Sequence, residues 1–278
     1  MVWGRRLVSR AAESGWPEAV RAYSTPEAAD WLRARFPADT VQRHTLTPAL
    51  LERVVSAGEH EGVLVELRRR VWSEADLRLN PDSDSNSDSG LDSRSLEGPR
   101  FRSRPSLVLV VEGLEKPGNL GAMVRTAAAM GAAAVVTVGP SADPWLPQSL
   151  RNSTGAAFTL PVLHLKDAEA AGAWCAARRL ATLAAVLPPP GGADAAVDPA
   201  AALRQLRSCG EAASGVAVVV GAESRGLSRW WWEHADQRVL IPMPGAVAAG
   251  IDSLNASVAA GILLAAVVGF RENTRRSA

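Results

Sequence analysis

The 278-residue sequence is short of cysteine, tyrosine and net charge, and each shortage removes a class of protein. Its two cysteines, Cys175 and Cys209, stand apart with no CxxC spacing. That argues against a disulfide framework or a cysteine-built zinc site and fits a reducing compartment. With 30 basic and 29 acidic residues the formal net charge is only +1. The chain is therefore no polycation, and any contact with nucleic acid must come from local arginine clusters. Long apolar runs are missing too. The longest, 256–270, has 15 residues, below the roughly 18–20 that a membrane span requires. It reads as a buried helix, and no membrane partner is expected. The four histidines are scattered without metal-ligand spacing, so no metal is expected either. The first residues, MVWGRRLVSRAAESGW, carry no apolar stretch of the secretory kind. The expected location is the cytoplasm. A mitochondrial or plastid matrix is the alternative, because this segment is rich in arginine and contains serine.

Two phosphate-cradling patterns are also absent. Gly113, Gly118 and Gly121 lack the GxGxxG spacing, and no GK[ST] follows them. This counts against a dinucleotide-dependent dehydrogenase and against a P-loop enzyme.

What is present is an ordinary globular composition, 47% hydrophobic and 21% charged, interrupted once. Residues 80–98 read NPDSDSNSDSGLDSRSLEG, a stretch with too little apolar surface to offset its ordering entropy. The expected division is a small α/β unit at 1–73, a Ser/Asp-rich linker at 74–104 and a larger α/β unit at 105–278. In the first unit, helices are expected over 5–12, 26–35 and 47–56, the last with Thr47 as N-cap. Strands are expected over 19–22, 41–44 and 62–67. In the second unit, strands are expected over 106–112, 133–138, 181–186, 216–221 and 238–241. Helices are expected over 119–130, 167–180 and 253–270, with a short helix at Trp230, Trp231 and Trp232 and a loop over 188–199. Alternating strands and helices imply a parallel sheet covered on both faces. The helix 253–270, apolar nearly all round, implies burial on every side.

Three segments follow the carboxyl ends of these strands, where open α/β sheets build their sites. The first runs from Glu112 through Gly118 and Asn119 to Arg125, a glycine-rich turn entering a helix. The second is Gly221-Ala-Glu-Ser-Arg-Gly-Leu-Ser228, a turn carrying the carboxylate of Glu223. The third is Ile241-Pro-Met-Pro244, then Asp252-Ser-Leu-Asn-Ala-Ser257, where Ser253 is the expected helix cap and Asn255 lies in the first turn. Singly, each reads as ordinary capping or as a solvated turn.

Together and in this order they resemble the SpoU/TrmH family of RNA ribose 2′-O-methyltransferases. KPGNLGAMVRTA is similar to that family's first motif, VVVGAESRGLS to its second and IPM…DSLNASVAAGI to its third, so the resemblance covers about 106–270. VWGRRLVSRAAESG and SAGEHEGVLVEL resemble the small ribosomal-protein-like substrate-binding domain that many members carry.

The resemblance implies a SPOUT-type trefoil-knotted parallel sheet, S-adenosylmethionine as cofactor, and a homodimer through the knot and the C-terminal helix. It implies methyl transfer to a ribose 2′-hydroxyl in structured RNA, large-subunit ribosomal RNA first and transfer RNA second. It assigns Asn119, Arg125, Glu223, Ser253 and Asn255 to catalysis, and Gly221, Ile241, Met243 and Leu254 to the cofactor. Arg68, Arg69 and Arg151 become candidates for RNA contact. Arg125 has two roles open to it, base or phosphate clamp, since a free guanidinium holds its proton far above neutral pH. The sequence departs from the family at Lys116, where Asp is common before the proline, and at Ser224, where Gly is common. The rival expectation is a non-catalytic RNA-binding or ribosome-assembly factor on the same fold.

Overall fold

The computed structural model describes every residue except 16–18, 38–40, 56–59, 78, 80–105, 188–195, 209–212, 224, 246–249 and 277–278. The amino-terminal unit runs β1 (Val2–Trp3), α1 (Arg5–Glu13), β2 (Ala19–Ser24), α2 (Ala29–Arg33), β3 (Gln42–Thr45), α3 (Pro48–Val54) and β4 (Val63–Leu67). Its sheet has the order β1-β4-β2-β3; β2 and β3 pair in parallel and the other pairs are antiparallel. Helix α1 forms because its apolar residues recur on one face. Leu7, Val8 and Ala11 are buried, while Arg5, Arg6, Arg10 and Glu13 are exposed. The Glu61 carboxylate accepts the Arg5 N–H at 2.6 Å, satisfying a helix-start donor that has no partner within the helix. Thr47 caps α3 as expected, accepting from the Leu50 N–H at 3.3 Å. The expected helix 26–35 is a 3-10 turn, Pro26–Ala28, leading into α2.

The second unit contains β5 (Ser106–Glu112), α4 (Pro117–Ala129), β6 (Ala134–Val138), α5 (Pro147–Asn152), β7 (Val162–Leu165), α6 (Ala168–Ala177) and β8 (Leu180–Ala185). It continues through α7 (Pro199–Ser208), β9 (Gly215–Gly221), α8 (Arg229–His234), β10 (Gln237–Val239) and α9 (Ala256–Arg276). All six strands are parallel, in the order β10-β8-β9-β5-β6-β7. Alternation along the strands builds two cores. Leu107, Leu109, Val111, Val218 and Val220 face α4 and α9, while Val108, Val110, Ala217 and Val219 face Trp174 of α6 and Trp231 of α8.

Four elements were not expected: β1, β7, α5 and α7. The strands have two and four residues, too few to display a period. The helices α5 and α7 each begin at a proline that reads locally as a loop signal but is well placed in a first helical turn. Of the expected loop 188–199, residues 188–195 lie outside the described residues, and Val197 bridges Val239.

Two other expectations are corrected. Ordered structure continues past residue 74: a 3-10 turn, Glu74–Asp76, is capped by Ser73, and Leu77 and Leu79 pack against the core. Those apolar side chains stop the acidic composition from making this stretch a spacer; 78 and 80–104 of the expected linker lie outside the described residues. Nor is α9 buried all round. Val258 is 49% and Ile262 40% exposed, four residues apart on one stripe, while Leu263, Leu264 and Val267 are fully buried.

The two units are joined. One apolar cluster includes Leu7 and Val8 of α1 and also Leu120 of α4 and Phe158. Arg69 pairs with Asp143 at 2.9 Å, and the Arg151 guanidinium lies 5.0 Å from the centre of the Trp3 ring.

Burial pushes the Cys175 thiol up to about 12. The thiolate is the reactive form, so Cys175 is expected to resist iodoacetamide at pH 8 in the native protein and to react after unfolding. Peptide mass mapping checks this directly.

Candidate active site

The chain runs β5, β6 and β7 toward one edge of the sheet. It then returns to place β8, β9 and β10 on the other side of β5. The reversal lies at the neighbouring central strands β5 and β9, and ligand sites of open parallel sheets form beyond the carboxyl ends of strands at such a point.

Asn119 enters from the first turn of α4, which starts at Pro117 with Lys116 as N-cap. Glu223 enters two residues after β9. Asn255 enters at the start of α9. The three side chains meet. The Glu223 Oε1 accepts from the Asn119 Nδ2 and from the Asn255 Nδ2 at 3.1 Å. Lys116 Nζ lies 3.4 Å from the other carboxylate oxygen. Asn255, not Ser253, caps α9: its Oδ1 accepts from the Ser257 N–H at 2.9 Å and from the Ser257 hydroxyl at 2.6 Å. The helix therefore begins three residues later than expected, because an Asn accepting from two residues onward is itself a strong stop to the preceding loop. Asn255→Ala removes a cap worth about 1 kcal/mol. It is expected to lower the melting temperature by about 2–4 °C, read by calorimetric scanning.

Beside this cluster a cleft opens over the ends of β8, β9 and β10. Gly221, Ile241, Met243, Ser253 and Leu254, all singled out in the sequence, line it together with Val186, Val220, Leu240 and Gly226. Its walls are mostly apolar, with Glu223 and Ser253 supplying polar groups. Gly221 is required by close approach: a Cβ there would collide with the Gly226 carbonyl group and lie 2.5 Å from the Leu227 nitrogen. The loop is further tied down where the Ser228 N–H donates to the Glu112 carboxylate at 2.7 Å. Ser224 lies outside the described residues.

Arg125 does not join the cluster. Six residues beyond Asn119 carry it around α4 to an exposed position, where it lines a different cleft with Arg10 and Thr154. Its side chain makes no hydrogen bond or ion pair with any described residue. Arg69 and Arg151 are engaged between the two units, and Arg68 follows β4 directly. Three features of the site escaped the sequence reading: the Lys116 contact, the Glu112 tether and the contribution of Ala185–Leu187 to the cleft. Lys116 was visible only as a departure from a motif. The end of an apolar strand carries no local signal at all.

Residues 106–265 match the model of the SpoU rRNA Methylase family. The chain belongs to the SpoU rRNA methylase family.

Among its relatives is the 23S rRNA (uridine(2479)-2′-O)-methyltransferase of Streptomyces viridochromogenes. It is 29% identical over 280 residues, covering 99% of this chain and 84% of that protein. The 23S rRNA (guanosine-2′-O-)-methyltransferase RlmB of Xanthomonas campestris pv. campestris is 36% identical over 166 residues, 57% of each chain. The solved structure of the SpoU methyltransferase AviRb from Streptomyces viridochromogenes, in complex with AdoMet, aligns with a TM-score of 0.71. It covers 97% of this chain and 89% of its own at 23% identity, a likeness of fold. Within the SpoU family frame, Asn119, Glu223 and Asn255 are drawn from the three separate motifs of the sequence and meet at one point beside one cleft.

Proposed function

We propose that this SpoU family member transfers a methyl group from S-adenosylmethionine to a ribose 2′-hydroxyl in structured RNA, with large-subunit ribosomal RNA as first substrate and transfer RNA as second. The observation that carries the proposal is the meeting of Asn119, Glu223 and Asn255 at the rim of the apolar cleft.

The cleft fits the cofactor. Val186, Val220, Leu240 and Leu254 offer apolar walls to a purine, and the glycines at 221 and 226 let main chain approach it closely. When bound, S-adenosylmethionine supplies an electrophilic methyl group. Glu223 holds the Asn119 and Asn255 amides in fixed orientation, so their remaining polar atoms are pre-set toward an incoming ribose, the kind of preorganisation that lowers barriers. Arg125 stands away from that cluster, exposed and without an ion-pair partner among the described residues, which supports the clamp role over the base role. It binds a phosphate of the RNA and holds the acceptor nucleotide in place.

The proposal extends to architecture. The amino-terminal unit, 1–73, recognises RNA, and the cofactor loops form a trefoil knot. The exposed stripe of Val258 and Ile262 on α9 supports a homodimer through this helix. The proposed location is the cytoplasm, with a mitochondrial or plastid matrix as the alternative. No described helix is long and apolar enough to cross a membrane.

The test is transfer of tritiated methyl from S-adenosylmethionine to 23S rRNA and to total tRNA, followed by nucleoside analysis. Label is expected in a 2′-O-methylated nucleoside. Arg125→Ala is expected to reduce transfer by about 10²-fold while calorimetry shows cofactor affinity unchanged. A wild-type protein that binds RNA but transfers no methyl group and takes up no cofactor would overturn the enzymatic reading in favour of a binding factor.

A further inference from the structure

The cleft that holds Arg125 is built by both units. Arg10 and Glu13 come from α1, and Arg125, Thr154 and Gly155 from the catalytic unit, around about 690 Å³ of open space. Arg10 lies in the last turn of α1 and is exposed. The surfaces touch here: a Cβ on Gly155, whose φ is +83°, would lie 2.9 Å from the Arg10 Cβ. Arg69 and Arg151 are already engaged across the same seam. The side chains of Arg10 and Arg125 make no hydrogen bond or ion pair with any described residue. Glu13 lines the same cleft but forms no ion pair with either guanidinium among the described residues, so both cationic groups are available to a phosphate, which each can hold by charge-assisted hydrogen bonds.

A second observation singles out the same place. Helix α5 ends in a Schellman motif, with the Gly155 N–H donating to Leu150 at 3.2 Å and the Thr154 N–H to Arg151 at 2.9 Å. The left-handed residue of that motif is ordinarily glycine. Here it is Thr154, with φ of +51°, a β-branched residue for which that conformation is strained. Thr154 is among the residues that line the cleft, and it brings a hydroxyl where glycine would bring none.

We propose that this seam is a backbone-phosphate site for the substrate RNA, in which Arg10 shares a phosphate with Arg125 and the Thr154 hydroxyl donates to it. The inference rests on the RNA-methylating function proposed above and adds residues from both units to substrate positioning. RNA crossing the seam bridges the two units. Glu13, the carboxylate among the described lining residues, bars phosphate from one side and so fixes the path of the strand.

The test is filter binding of end-labelled 23S rRNA to the full-length chain between 50 and 200 mM KCl. Wild type is compared with Arg10→Gln, Glu13→Gln and Thr154→Gly. Arg10→Gln is expected to weaken binding about 5–10-fold and to reduce the slope of log K against log salt by about 0.7–0.9, one phosphate contact. Glu13→Gln is expected to tighten it about twofold. Thr154→Gly is expected to raise the melting temperature by about 2–4 °C and yet weaken RNA binding about threefold, an opposition that a purely structural role would not produce. Cofactor binding, measured by calorimetry, is expected to be equal in all four proteins. If Arg10→Gln matches wild type in affinity and slope while cofactor still binds, the seam proposal falls and the function stands. If wild type binds neither cofactor nor RNA, the function falls and takes the seam with it.

Discussion

Gly221→Ala is expected to weaken S-adenosylmethionine binding roughly 5- to 150-fold, the equivalent of the 1–3 kcal/mol typical of an overpacked site. The argument is one of space. Gly221 ends β9, and the chain folds back so tightly that Ala222 and Gly226 form a bridge, with the Gly226 N–H donating to the Ala222 carbonyl at 2.8 Å. The added methyl group meets main chain, the Gly226 carbonyl and the Leu227 nitrogen, and main chain cannot rotate away as a side chain can. Relief requires the 222–227 loop to move. That loop carries Glu223 and lines the cleft. Calorimetric titration of cofactor checks the prediction, alongside a melting curve to establish that the variant remains folded. Wild-type affinity in a folded variant would show that this crossing does not shape the cofactor site.

Glu223→Ala is expected to lower kcat/KM by about 10²–10³-fold, on the basis of two charge-assisted hydrogen bonds at about 1.5–3 kcal/mol each, only part of which is realised in the transition state. The carboxylate is the shared acceptor for Asn119 and Asn255 and the partner of Lys116. Without it, three loops from distant parts of the chain lose their common anchor. Glu223→Gln keeps the shape but replaces an anion with a neutral amide, and it is expected to recover no more than about a tenth of the activity. Steady-state kinetics at saturating cofactor separate this orienting role from cofactor binding. Equal kcat/KM for Glu223→Gln and wild type would remove the charge from the account.

Residues differ in how plainly they announce this architecture. β5 and β9 were legible because both faces of their sheet are covered, which makes SLVLVVE and VAVVVG continuous apolar runs. Asn119, Glu223 and Asn255 were legible as members of three ordered motifs, and the lining set of Gly221, Ile241, Met243 and Leu254 with them. What escaped was set by tertiary contact. The position of Arg125 depends on six residues of helical rotation, which a linear spacing does not convey. The cap at Asn255 and the strain at Thr154 are properties of backbone angles. Neither the exposed stripe of α9 nor the sharing of Arg69 and Arg151 between units can be read from composition, since each depends on which surface another element covers.

The adjacency of β5 and β9 also bears on how the protein comes into being. Ser106 pairs opposite Gly215 and Glu112 opposite Gly221, so the middle of the sheet joins strands separated by more than a hundred residues of intervening chain. The sheet cannot close as the polypeptide emerges in order, because β9 must insert between two strands made earlier. Folding of this unit is therefore dominated by non-local contacts, the slow class for a domain of this size. Until β9 arrives, the apolar edges of β5 (SLVLVVE) and β8 (LATLAA) stay unpaired, open to association with other chains.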